Sequence, residues 1–278
     1  IMLLAIGRVL AAGAGLIPDE ARRPFAMALI VGGAAFASVL LVENLNDGLL
    51  VEVLGRLKGL GGDDHIPALN PGNMILAVYA VPFSAAAAYR FNPIAGALAY
   101  ALCLVVVANA PSSMPLFTSL VTATLFLAVH FGRKRAVTAI AAALVAGQAA
   151  IPFLVHFLGW SDTFRERIRL IELTWQHRWA IWEFATARIF ENPVLGWGLD
   201  ASRAIPGGDV LIMGQAETLP LHPHNGFLQI WLELGGIGAF LSCLLLALAP
   251  AALGRLAEGW MGAALVLAVI GAYFAPLQ

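Results

Sequence analysis

Two imidazoles and two carboxamides crowd the start of an apolar run in His222-Pro223-His224-Asn225-Gly226-Phe227-Leu228-Gln229. The run leads on into Glu233-Leu234-Gly235-Gly236-Ile237-Gly238. Polar groups at a bilayer edge are costly to keep without a purpose, and an imidazole there can move a proton near neutral pH. His224 is the candidate base. Asn225 and Gln229 are one helical turn apart and share a face that can support a polar ligand. For a lone histidine the plainer reading is a solvated helix cap, but the company of His222, Asn225 and Gln229 favours chemistry. Pro223 separates the two histidines and points them differently. A His-x-His pair can also hold a metal, yet no third and fourth ligand accompany it, so no metal is expected. Glu233 follows His224 by nine residues, about 180° around a straight helix. A His–Glu couple is therefore not expected, and Glu233 should bond a neighbouring helix or end a polar pocket.

The second candidate is a cation, Arg178, in Arg178-Trp179-Ala180-Ile181-Trp182. A planar guanidinium can grip phosphate oxygens with two parallel hydrogen bonds. Arg165, Arg167, Arg169, Arg188 and Arg203 surround it in sequence, and for most of them a solvated face or lipid headgroup contact is the plainer reading. Only Arg178 sits beside tryptophans that can place it at the bilayer edge. Arg165 and Arg203 stand as auxiliary candidates for the same anion.

These groups need a frame, and composition says which kind. The 278 residues are 60% hydrophobic and 12% charged with net charge −1, and the mean hydropathy is +0.83. A water-soluble domain carries about twice that charged fraction. The chain reads as an all-α, polytopic integral membrane protein with about eight transmembrane helices, and nothing basic enough for nucleic acid. Cys103 and Cys243 lie in separate apolar runs and read as small hydrophobes. No cleavable signal pattern opens the chain, and upstream spans are expected.

Apolar runs fall at 1–17, 24–42, 73–89, 93–110, 115–131, 136–158, 225–253 and 259–277. If all eight cross, the short basic connections at Arg22-Arg23, Arg90, Arg133-Lys134-Arg135 and Arg255 share one face, which the positive-inside rule makes cytoplasmic. The segments 43–72, 111–114 and 159–224 then share the other. The organisation expected is transmembrane helices over 1–158 with an outer loop at 43–72, a helical periplasmic loop region over 159–224, and C-terminal transmembrane helices over 225–278. The first outer loop mixes an amphipathic piece at 49–60 with a Gly59–Asp64 turn. In the larger loop, Ser161 or Asp162 can cap a helix starting near Thr163. A second helix, about 175–190, spaces Trp175, Trp179, Trp182, Ile181 and Ile189 by threes and fours, as suits a helix lying at the membrane interface. Asn192-Pro193 ends it, a glycine-rich turn follows at 195–200, and 203–221 reads as loop.

Taken together these residues resemble the O-antigen ligase and O-antigen polymerase superfamily of bacterial membrane glycosyltransferases. Arg178-Trp179-Ala180-Ile181-Trp182-Glu183-Phe184-Ala185 with Glu191-Asn192-Pro193-Val194-Leu195-Gly196-Trp197-Gly198 is similar to its outer-loop signature. His224, ten residues and then Gly235 is similar to its His-x10-Gly motif. Asn70-Pro71-Gly72-Asn73-Met74-Ile75-Leu76-Ala77 resembles the opening of a middle span. The likeness covers about 44–238. Relatives have about a dozen spans, so several are expected to be missing from the N-terminal side. Many also carry a Ser-Arg pair where Ser112-Ser113-Met114 stands here, so Met114 replaces one phosphate contact.

The resemblance implies metal- and cofactor-independent glycosyl transfer at the periplasmic face of the bacterial inner membrane. The donor would be an undecaprenyl-diphosphate-linked glycan and the acceptor lipid A–core, in lipopolysaccharide biosynthesis. In a polymerase the acceptor would be another lipid-linked glycan. His224 would act on the acceptor hydroxyl, with Arg178, and Arg203 or Arg165, on the diphosphate. A transporter is the main competing class, but it should hold ionisable groups near the midplane of its spans. Here most lie in the connections between runs, and Arg8 is the one arginine or lysine within a run. A membrane scaffold using the tryptophan-rich helix as a docking face is the other.

Overall fold

A computed structural model describes residues 19–57, 69–170, 173–212 and 216–253. They fall into two compact units that divide between Val137 and Thr138. Among the described residues the only strands are two of two residues each, so the protein is all-α.

The first unit holds α1 (Asp19–Leu45), α2 (Leu49–Leu57), α3 (Leu69–Arg90), α4 (Pro93–Ala108) and the start of α5 (Met114–Gly159). Small side chains let α1, α3 and α4 approach closely around Ala37, Leu40, Leu76, Ala80, Phe83, Cys103 and Val106. Inside this apolar packing several polar groups are paired. Asn44 and Asn73 exchange amide hydrogen bonds of 2.9 Å, and Asn44 also donates to the Val106 carbonyl. The buried Glu43 carboxylate accepts from the Leu50 and Val51 amides and so caps α2. Asn92 caps α4 through the Ala95 amide, with Pro93 at its first position.

Four described helices are long and apolar enough to cross a membrane: Glu20–Leu45, Leu69–Arg90, Met114–Gly159 and Gly226–Leu248. That is fewer than the eight runs expected. Runs 1–17 and 259–277 lie outside the described residues, as does the Gly59–Asp64 turn. The run at 93–110 forms a helix of 16 residues, short of the ~20 that a bilayer core needs. Runs 115–131 and 136–158 form one 46-residue helix, interrupted at Arg133 (φ 48°, ψ −131°). The expected basic loop there contracts to a one-residue break, with Arg133, Lys134 and Arg135 exposed.

The second unit holds the rest of α5, then α6 (Asp162–Arg169), α7 (Leu173–Glu191), a 3-10 turn (Ala201–Arg203), β1 (Leu211–Ile212), β2 (Ala216–Glu217) and α8 (Gly226–Leu253). Ser161 caps α6, its hydroxyl accepting from the Phe164 amide. The core brings Val155 of α5, Trp179, Ile181, Ala185 and Ile189 of α7, and Leu228 and Leu232 of α8 together, sealed by Ile205 and Leu219 from the loop. The apolar stripe of α7 was expected to face the membrane interface, and protein covers it instead. Trp179 is buried and Trp182 half-buried, and of the three tryptophans only Trp175 is exposed. A three-four spacing defines an apolar face but not what covers it. The 203–221 segment is more ordered than a loop: β1 and β2 pair antiparallel, and the ladder is extended by Thr218 and Leu219 amides donating to Val210 and Gly208 carbonyls.

Candidate active site

The turn before α8 carries the two histidines. His224 adopts a left-handed backbone, φ 50°, which costs a non-glycine residue about 1 kcal/mol. Such strain persists only where the surroundings enforce it. Here the enforcing contacts are visible. The His224 amide donates to His222 Nδ1 at 3.3 Å, and the two rings meet edge to face with centroids 4.5 Å apart. Pro223 therefore brings the rings together, contrary to the expectation that it separates them. Asn225 takes the N-cap, its Oδ1 accepting from the Phe227 and Leu228 amides. Gln148, buried in α5, donates to the Phe227 carbonyl and accepts from Trp231 Nε1 through its own backbone carbonyl, which fixes the first turns of α8.

Helix α7 delivers Arg178 to this turn. Trp182 Nε1 donates to the Pro223 carbonyl at 3.0 Å, tying α7 to the residue between the histidines. Arg178 precedes Trp182 by four residues and shares its face. Its guanidinium lies over the Trp175 ring at 5.6 Å and has no carboxylate within ion-pair range among the described residues. Partial burial lowers its pKa, although a guanidinium remains cationic. Burial, and then the Arg178 charge, hold His222 below the usual histidine value. A neutral His222 is what an Nδ1 acceptor requires.

The other candidates are placed differently. Arg165 pairs with Glu183 at 3.3 Å, and Glu183 lies about 140° around α7 from Arg178. Arg203, at the end of the 3-10 turn, stands 3.6 Å from Asp200, and both side chains are exposed. Among the described residues neither reaches the histidine turn through a hydrogen bond or an ion pair. Gln229 donates to Glu233 Oε1 along α8, so the Glu233 carboxylate bonds within its own helix. With Asn225 Oδ1 engaged in the cap and Gln229 held by Glu233, these amides shape the turn from within.

Beyond the turn, α8 breaks at Gly235 (φ 61°, ψ −159°), and the 192–198 segment fills the break. The Trp197 and Gly198 amides donate to the Leu232 and Glu233 carbonyls, and the Gly236 and Ile237 amides donate to the Pro193 and Val194 carbonyls. These four bonds satisfy carbonyls and amides that the broken helix would otherwise orphan. The approach admits no side chain. A Cβ on Gly196 would stand 2.5 Å from the Glu233 carbonyl carbon, and one on Gly235 would overlap the Val194 carbonyl. Trp197 adds an indole bond to the Arg188 carbonyl at 2.8 Å, and Arg188 itself pairs with Glu191 and lies over Phe184. Sequence reading missed both Trp182 as a strap and this clamp. The glycines and the Asn-Pro were visible, but not their pairing.

Comparison with known proteins points the same way. Residues 96–243 match the family model described as O-antigen ligase, a stretch that contains Arg165, Arg178, Arg203, His222, His224, Asn225 and Gln229. A protein of Rickettsia conorii provisionally named a polysaccharide ligase is 35% identical over 121 residues, 42% of this chain and 29% of the relative. A similarly named protein of Rickettsia prowazekii is 44% identical over 73 residues, 24% of this chain and 18% of the relative. The chain thus covers under a third of the length of these relatives. No solved structure matches.

Proposed function

The chain belongs to the O-antigen ligase family, and from that premise we propose that it carries the reacting centre of a membrane glycosyltransferase. It moves a glycan from undecaprenyl diphosphate to a sugar hydroxyl of lipid A–core at the periplasmic face of the inner membrane. The observation that carries the reading is the Trp182–Pro223 hydrogen bond, which holds the helix of Arg178 against the turn of His224.

In the step proposed, the acceptor hydroxyl oxygen forms a bond to the anomeric carbon while the anomeric C–O bond to the diphosphate breaks. His224 takes the hydroxyl proton as a positioned base. The electron pair leaves on the lipid diphosphate, a good leaving group that needs charge stabilisation more than an acid. Arg178, free of a carboxylate among the described residues and resting on Trp175, supplies it. His222 is a positioning residue that holds His224 through its backbone amide. Arg165 and Arg203 would have to leave Glu183 and Asp200 to assist. Such exposed pairs are worth about 1 kcal/mol or less, so a diphosphate can recruit them.

Full-length protein in proteoliposomes, given undecaprenyl-diphosphate glycan and either lipid A–core or a second lipid-linked glycan, tests this. Product on lipid A–core supports ligation, product only on the lipid-linked glycan makes the protein a polymerase, and no product on either overturns the reading.

A further inference from the structure

We propose that His177 is a positioning residue for the histidine turn. Its bond to the Glu217 carbonyl closes a ring that lays the 217–223 segment across α7 and holds His222 beside Arg178. The role in transfer rests on the glycosyl-transfer reading; the ring does not.

Two side chains of α7 grip the segment that leads into the histidine turn. His177 Nε2 stands 3.1 Å from the Glu217 carbonyl oxygen. A carbonyl only accepts, so Nε2 carries the proton and donates. Further along, the Pro223 carbonyl accepts from Trp182 Nε1. Helix geometry fixes what lies beneath the segment. From His177 to Trp182 the helix rises ~7.5 Å and turns by about 140°. Of the residues between them, only Ile181 and Arg178 fall within that arc, at about 40° and 100° from His177. The segment meets both. Leu219 is buried in one core cluster with Ile181, and the half-buried His222 lies within the field of the Arg178 charge. Trp182 thus fixes the outgoing end of the segment, Leu219 its middle and His177 its incoming end. The polar tethers set the register, because an apolar contact accepts a small slide whereas a hydrogen bond demands one donor–acceptor geometry. A slide would carry His222 with it, and His222 Nδ1 accepts from the His224 amide. His177 therefore acts on the candidate base through His222.

Two variants of the full-length protein test this. His177→Leu removes the donor, and His177→Gln keeps an Nε2–H at similar reach. In proteoliposomes with undecaprenyl-diphosphate glycan and whichever acceptor the parent uses, His177→Leu should lower kcat by about fivefold, the weight of one ordinary hydrogen bond. Donor KM should change less, and His177→Gln should recover most of the loss. Parental kcat in His177→Leu overturns the proposal, and so does a His177→Gln variant as slow as His177→Leu. Titration of His222 by 15N-histidine NMR needs no transfer. Freed from burial and from Arg178, His222 should titrate closer to 6.5 in His177→Leu than in the parent, while His177→Gln stays with the parent. An unshifted His222 in His177→Leu overturns the ring. No transfer by the parent to any acceptor overturns the catalytic reading instead, and the titration then decides the ring alone. Should His177→Leu fail to insert, His177→Asn, whose amide is too short to reach Glu217, replaces it.

Discussion

Gly196 and Gly235 meet backbone to backbone where α8 breaks, each with a positive φ (70° and 61°) and neither with room for a Cβ. Their contact joins two motifs that lie far apart in sequence, the Asn-Pro turn after α7 and the glycine that closes the motif begun by His224. It positions both ends of the candidate site, since α7 carries Arg178 and α8 begins at the histidine turn.

The clamp predicts an order of stabilities. Gly198 also has a positive φ, 102°, but open space around it, so Gly198→Ala should cost only strain, about 1–2 kcal/mol. Gly196→Ala and Gly235→Ala must also force the touching backbones apart and should cost at least about twice that. Thermal unfolding in detergent measures the order. Gly198→Ala proving as damaging as the other substitutions would contradict the clamp.

Trp182→Phe keeps an aromatic ring and removes the bond to the Pro223 carbonyl. A hydrogen bond of this kind contributes about 1 kcal/mol, so the histidine turn should loosen and kcat fall by about fivefold, with donor KM less affected. Steady-state transfer kinetics decide, and an unchanged kcat removes the strap from the account.

His224→Gly relieves the left-handed backbone that His224→Ala keeps. Both should lose transfer, yet the glycine variant should be the more stable by about 1 kcal/mol. Equal unfolding temperatures would show that φ 50° stores no strain.

Burial and Arg178 hold the His222 pKa below 6.5. The neutral ring therefore stabilises the fold fully above the unfolded value of 6.5, and this contribution is lost as pH falls through the folded value. Protonation also removes the acceptor for the His224 amide. In 15N-histidine NMR, with His222 assigned by loss of its signal in His222→Asn, Arg178→Gln should raise the pKa toward 6.5 but not to it, since burial persists. No change would place Arg178 away from this ring.

The local features were legible where chemistry is local. A cap at Ser161 or Asp162, the helix after it, and the end of α7 at Asn192-Pro193 follow from capping and proline sterics; the cap is Ser161, the helix starts at Asp162, and α7 ends at Glu191. The Arg178 and His224 motifs were legible as residues. What the chain could not disclose was pairing at a distance. The 196–235 contact is backbone to backbone and leaves no periodic side-chain signal. Whether the α7 stripe faces lipid or protein is invisible to spacing. Asn225 and Gln229 were expected to support a ligand; the cap takes Asn225 Oδ1 and Glu233 takes Gln229 Nε2, because local partners compete with ligands for short polar side chains, and Asn225 Nδ2 and Gln229 Oε1 are left for that role.

The most direct measurement is the kinetic split between Arg178 and His224 in reconstituted glycan transfer. His224→Ala should cut kcat by about 100-fold or more and leave undecaprenyl diphosphate binding intact, while Arg178→Ala should weaken that binding and lower kcat/KM by a similar factor. Folded, inserted variants that both transfer glycan at rates close to that of the parent would contradict the account.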